Sequence, residues 1–246
     1  MLKKFFVFVS LFAVAFTAAA AAAKLNYQNL TIPALKPVGS GDLANSVVHY
    51  LLRGQHILLF SAKDGEKLNV VVKHFGGNGR PDISYAFLDQ SKKLLSEGVI
   101  ANGKLETVSY QVEKGGTYAL VISSGSGAVA WYSLATKNPF AAILAEKEVY
   151  LFSAQKVFLP GKAMGNSEIA IRSTKDECYS YSVDGGKYVE LLNPVNVKIQ
   201  LTDKPVTTVQ FGRIAGKWCQ NFMLSFPDGK QPLIFYGENR AVEIVK

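Results

Sequence analysis

Over much of its length this chain alternates apolar and other side chains with a period of two, and that pattern decides its fold class. Leu68, Val70 and Val72 alternate with Asn69 and Val71, and Ile83, Tyr85 and Phe87 with Ser84 and Ala86. Val108, Tyr110 and Val112 follow, then Tyr118, Leu120 and Ile122. Successive side chains of an extended strand leave opposite faces, so each run sends one set into a core and the other away from it. Between the runs stand Lys63-Asp-Gly-Glu66, Gly76-Gly-Asn-Gly79, Asn102-Gly103 and Lys114-Gly-Gly116. These are hairpin and loop signals, and their spacing is that of an antiparallel sandwich.

The pattern resumes after Val149. Tyrosines and serines alternate from Tyr179 to Val183, and Val195, Val197, Ile199 and Leu201 alternate with Asn196, Lys198 and Gln200. Val209 and Phe211, Met223-Leu-Ser-Phe226, a Pro227-Asp-Gly-Lys230 turn and Leu233-Ile-Phe-Tyr236 complete a second block. The expectation is an all-β chain of two tandem antiparallel β-sandwich domains, jelly-roll or Ig-like, over residues 47–135 and 148–246. Residues 24–46, with Pro33, Pro37, Gly39, Ser40 and Gly41, form a lead-in, and residues 136–147 a linker. Within the linker, Asn138 before Pro139 suits a helix N-cap followed by proline at the first helical position. A helix of about two turns is predicted there, with irregular chain as the competing reading.

Residues 1–23 read as a signal peptide rather than as fold. Lys3 and Lys4 precede an apolar stretch from Phe5 to Phe16, then Thr17 and alanines to Ala23 that offer several cleavage positions. The rival is a retained membrane anchor, because Phe5 to Ala23 is uncharged. Alanine contributes little to insertion, which favours cleavage between Ala20 and Ala23. The expected product is secreted or periplasmic, and no later stretch is apolar for long enough to span a bilayer.

The chain has 27 Lys+Arg against 19 Asp+Glu, and loss of Lys3 and Lys4 would leave 25 against 19, a formal +6. Lysines are spread along the chain rather than gathered on a stripe with interleaved aromatics, so no nucleic-acid partner is expected. Loose attraction to an anionic envelope or polysaccharide fits the balance.

Cys178 and Cys219 stand 41 positions apart in the second block. In an exported chain a lone pair oxidises, and closing a loop of that size contributes roughly 4 kcal/mol in the chain-entropy model. Metal ligation would call for further Cys or His nearby, whereas His49, His56 and His74 all lie in the first block.

No motif of catalysis is present: no His-Glu-x-x-His, Gly-x-Ser-x-Gly, phosphate loop or dinucleotide fingerprint. Asp64, Glu66, Asp82 and Asp89 border turns where Ca²⁺ would be sought, but their spacing matches no specific loop. No catalytic residue, metal site or cofactor is therefore assigned. His74 reads as a strand-end histidine beside a glycine-rich loop, and Trp131 as a plug of the first core. Tyr179, Tyr181 and Tyr188 cluster around a hairpin, and Trp218 precedes Cys219. Flat rings on a sandwich face can stack on sugars, so these four are the candidate ligand-binding residues. For each, core filling is the competing reading.

Residues from about 47 to 135 resemble the bacterial pre-peptidase C-terminal type domain, a small sandwich attached to exported enzymes. The resemblance rests on Ile57-Leu-Leu-Phe-Ser-Ala62 with Gly65 and Leu68-Asn-Val-Val-Val72, on Asp82-Ile-Ser-Tyr-Ala-Phe-Leu-Asp89, and on Val112-Glu-Lys-Gly-Gly-Thr-Tyr-Ala-Leu-Val121. It implies a fold module and carries no catalytic residue. The second block resembles bacterial Ig-like surface modules through Tyr179-Ser-Tyr-Ser-Val-Asp-Gly-Gly-Lys-Tyr188 and Asn193-Pro194. Together these imply an exported, non-catalytic ligand-binding or adhesion module at the cell envelope, with a glycan or an envelope protein as partner. A secreted hydrolase with an unrecognised site and a structural subunit of a surface assembly are the alternatives.

Overall fold

The computed structural model describes residues 24–37, 48–144, 148–152, 156–159, 168–173, 179–191, 196–200, 207–213, 221–225, 233–235 and 242–245. Its first nine strands are β1 (Leu35–Pro37), β2 (Val48–Ala62), β3 (Lys67–His74), β4 (Ile83–Leu88), β5 (Leu94–Ile100), β6 (Leu105–Gln111), β7 (Gly116–Thr136), β8 (Phe140–Leu144) and β9 (Glu148–Phe152). The remainder are β10 (Lys156–Leu159), β11 (Glu168–Ser173), β12 (Tyr179–Val183), β13 (Val189–Leu191), β14 (Asn196–Gln200), β15 (Thr207–Arg213), β16 (Asn221–Ser225), β17 (Leu233–Phe235) and β18 (Val242–Ile244). Strand pairs with strand antiparallel throughout, and no helix occurs among the described residues. The all-β expectation holds.

One bent ribbon organises the first block. β2 and β7 pair from Val48 opposite Leu134 to Ala62 opposite Gly116, with the register breaking around Gly54, which faces Gly125. Both glycines have positive φ, +75° and +88°, a conformation that side-chain-bearing residues rarely adopt, and here it turns the ribbon's corner. Past the corner the two halves of β7 take different neighbours. Ala119–Ser123 pair with β4, while Tyr132–Thr136 pair with β3. One layer is therefore β5-β4-β7-β2-β8, and the other is β6-β3-β7-β2, with the long strands contributing to both.

Alternation then fills the space between the layers. Leu58, Phe60, Leu120 and Ile122 from the ribbon meet Leu68, Val70 and Val72 of β3 and Ile83 and Phe87 of β4, all buried in one cluster. Rings from both layers touch: Phe87 of β4 lies 5.9 Å from Tyr110 of β6 and 5.9 Å from Tyr118 of β7. Each such side chain contributes about 1.5–3 kcal/mol on burial. A polar pair lies within this core. His56 Nδ1 lies 2.9 Å from the Tyr132 hydroxyl, both buried, and the rings meet edge to face. Burial pushes the His56 imidazole down to about 3, so it is neutral in the folded chain, and drives the Tyr132 phenol well above its ordinary range.

The opposite face of the first layer is covered too. Ile57, Leu59, Ala86, Leu88, Ala119, Val121 and Ala141 pack beneath Leu30 and Leu35 of the lead-in. Residues 24–37 thus form a strap, fastened by paired bonds at one end: Gln55 Oε1 accepts from the Asn26 amide at 2.8 Å, and Gln55 Nε2 donates to Asn26 O at 2.6 Å. At the other end the Leu35 amide donates to Thr117 Oγ1, and β1 pairs with β18.

β8 corrects the helix expected in residues 138–147. Phe140 and Ala142 face the inner core and Ala141 the strap side, so the segment is buried on both faces and shows no polar alternation. Asn138, in place of capping a helix, accepts the Asn69 amide on Oδ1 and donates through Nδ2 to Glu66. From β8 the sheet continues through β17, β10, β15 and β12 to β13, while β14-β11-β16-β9 form a separate four-stranded sheet. Asp184 and Gly185, with φ of +49° and +72°, make the tight turn between β12 and β13 that the sequence predicts.

Candidate ligand-binding face

The outer face of the second layer carries two aromatic rings, one of which, Trp131, sequence reading assigned to the interior. Ala130, Tyr132 and Leu134 point between the layers, so Trp131, expected to plug the core, falls on the other side and is only half-buried. Tyr132 fills the interior place instead. His74 pairs with Tyr132, and the Phe75 amide continues the ladder by donating to Trp131 O at 2.9 Å. Phe75 is therefore the cross-strand neighbour of Trp131, and it is half-buried as well. The third residue of this face is Lys73, whose Nζ sits 5.3 Å from the Phe75 ring centroid.

Beside the rings, three segments are locked into a rigid loop end. His74 is the anchor: it is buried, its Nε2 lies 2.9 Å from Pro81 O, and its Nδ1 accepts the Gly103 amide at 3.4 Å. That network assigns the Nε2–H tautomer. Asn102 donates to Gly77 O and Arg80 O, and its own amide is accepted by Asp82 Oδ1 at 2.8 Å. Arg80 Nη1 reaches Val129 O at 3.1 Å, fastening the loop to β7 next to Trp131. Gly76 has no room for a side chain: a Cβ there would stand 3.1 Å from Gly103 Cα. The turn glycines Gly77 and Gly79, both at positive φ, bring the loop back to the sheet.

Among the described residues, cations outnumber acids around this end. Arg53, Lys73, Arg80 and Lys104 are exposed, whereas Asp82 is half-buried and engaged by Asn102. The arrangement offers ring faces for the C–H side of a sugar, with cations at the margin for a carboxylate or sulfate.

The other acids singled out from the sequence each complete a turn. Asp64 Oδ1 accepts the Gly115 amide, Glu66 Oε2 the Lys63 amide, and Asp89 Oδ1 the amides of Ser91 and Lys93. Burial opposes ionisation of Asp89, but the Ser91 hydroxyl, the Lys93 and Ser91 amides and the Lys93 charge together hold its carboxyl below the ordinary range.

The tyrosine cluster is only partly assembled. Tyr181 is half-buried and pairs with Val189 and Phe211, while Tyr188 is 44% exposed at the margin of β13. The backbone of Tyr179 pairs with Leu191 and Arg213. Trp218, Cys178 and Cys219 lie outside the described residues, as do residues 1–23. Sequence reading missed the Trp131 and Phe75 pair because register, and no local motif, joins positions so far apart. The one available signal was Trp131 itself, standing in a strand whose other alternate positions are apolar. Neither known protein families nor curated proteins yield a match to this chain.

Proposed function

We propose that this chain is an exported, non-catalytic binding protein of the cell envelope, two β-sandwich units behind a cleaved signal peptide, that holds an acidic glycan on the face formed by Trp131 and Phe75. The carrying observation is the cross-strand pair of half-buried rings with Lys73 against one of them, and with Arg80 bonded to Val129 O and Arg53 paired opposite Val129, two positions from Trp131. Stacking on rings supplies affinity for a sugar of any charge, and the cations select an acidic one. The loops around His74 are tied down in advance, so little ordering is lost on binding. The resemblances to exported sandwich modules support the same reading.

A glycan array with neutral and acidic members, probed with the exported chain, tests it. Acidic glycans are retained, Trp131→Ala abolishes retention, and added salt weakens it. Retention of neutral glycans alone, or retention indifferent to Trp131→Ala, overturns the assignment of this face. The exported protein should have lost its first 20–23 residues by mass, and its thiols should alkylate only after reduction. In sequence Cys178 immediately precedes β12 and Cys219 lies two positions before β16.

A further inference from the structure

The free edge of the second layer carries an inference that does not depend on the glycan reading. We propose that β6 is a self-association edge, at which two copies of this chain pair antiparallel about Val108.

Among the described residues β6 pairs only with β3, without a register shift, from Lys67 opposite Gln111 to Lys73 opposite Leu105. The side chains on its solvent face are open: Leu105 is 55% exposed, and Thr107, Ser109 and Gln111 are exposed with it. The direction of its backbone groups follows from its ends. Lys104 O accepts from His74, and Val112 exchanges bonds with Glu66 and Gly65. Antiparallel alternation then turns the even-numbered groups towards β3, and the N–H and C=O of Leu105, Thr107, Ser109 and Gln111 outwards.

Three other edges carry protection that β6 lacks. β13 is three residues long, the pairing of β5 with β4 shifts register at Leu88, and β14 presents an exposed Lys198. β6 has no proline, lysine or bulge, and a single charge, Glu106.

The strand is complementary to itself. About Val108, Leu105 meets Gln111, Thr107 meets Ser109 and Glu106 meets Tyr110 of the second copy, so the lone acid never faces its own image. All the outward backbone groups are satisfied in that register. Lys104 falls opposite Val112 of the other copy, so no two lysines or acids of the paired strands face each other. The two-fold axis of such a pair is perpendicular to the sheet, so both Trp131 faces lie on the same side, where a polymer can bridge them.

Light scattering on the full exported chain, from micromolar to hundred-micromolar concentration, tests the proposal. The mass should rise to twice the monomer value. The double substitution Thr107→Lys with Ser109→Lys places lysines opposite lysines and should return the monomer. Val99→Lys on β5 is the folding control and should leave the dimer intact. A monomer at every concentration, or a dimer indifferent to Thr107→Lys with Ser109→Lys, would each overturn it.

Discussion

The first layer of this molecule is buried on both faces, but by different means. On the inner face a second sheet covers Leu58, Phe60, Phe87 and Leu120, and ring contacts cross the gap. On the outer face the covering element is the strap, which supplies Leu30 and Leu35 over Ile57, Leu59 and Val121. Polar side chains ring that outer cluster: Gln55, Ser61, Thr117 and Ser123 are buried there, and Ser61 and Thr117 both bond to Leu35. The inner core is continuous packing with the His56 and Tyr132 pair within it. The outer one is a small apolar patch fastened by specific bonds at its rim. The first should fail as a unit with the fold, and the second should be able to open alone.

Substitutions can break that contrast, beginning with the largest effect. Phe87→Ala removes the ring that joins both layers and should cost about 3–5 kcal/mol in urea unfolding. Leu35→Ala should cost about 2 kcal/mol, because the strap can settle into the space left behind. If Leu35→Ala costs as much as Phe87→Ala, the two faces are energetically alike and the contrast fails.

Acid should attack the inner core first. The unfolded chain protonates His56 from about pH 6.5 downwards, while the folded chain resists to about 3. Stability is therefore complete above that window and falls by about 1.4 kcal/mol for each pH unit within it. His56→Gln should flatten the slope between pH 6 and 4. Asp89, held low in the folded state, contributes its own loss only below its ordinary value of 3.8. The smallest effect belongs to the strap's fastening: Gln55→Ala should cost about 1–2 kcal/mol. It should do so while leaving the acid slope unchanged.

Several elements could be read directly from the chain. Leu68, Val70 and Val72, then Ile83 and Phe87, and then Leu120 and Ile122 are inward positions of β3, β4 and β7, as their alternation predicts. Alternation is visible where one face is covered and the other is wet. It vanishes in β8, where neighbouring Phe140, Ala141 and Ala142 are all buried, and the segment was open to a helical reading. His74 was legible as a strand end, but its part in clamping Pro81 and Gly103 was not. The Trp131 and Phe75 face was illegible for a deeper reason. It depends on which strand lies beside which, and on a corner at Gly54 and Gly125 that sets the phase of everything after it.

Hydrogen exchange on the intact chain tests the contrast between the two faces most directly. Amides of Ile57–Phe60 and of Ala119–Ile122 should exchange only through global unfolding. Those of Asn26, Leu30 and Leu35, bonded to Gln55, Tyr27 and Thr117, should exchange through a cheaper local opening. Strap amides as slow as those of β2 and β7 would contradict the account, since the strap and the sheet would then form one cooperative unit.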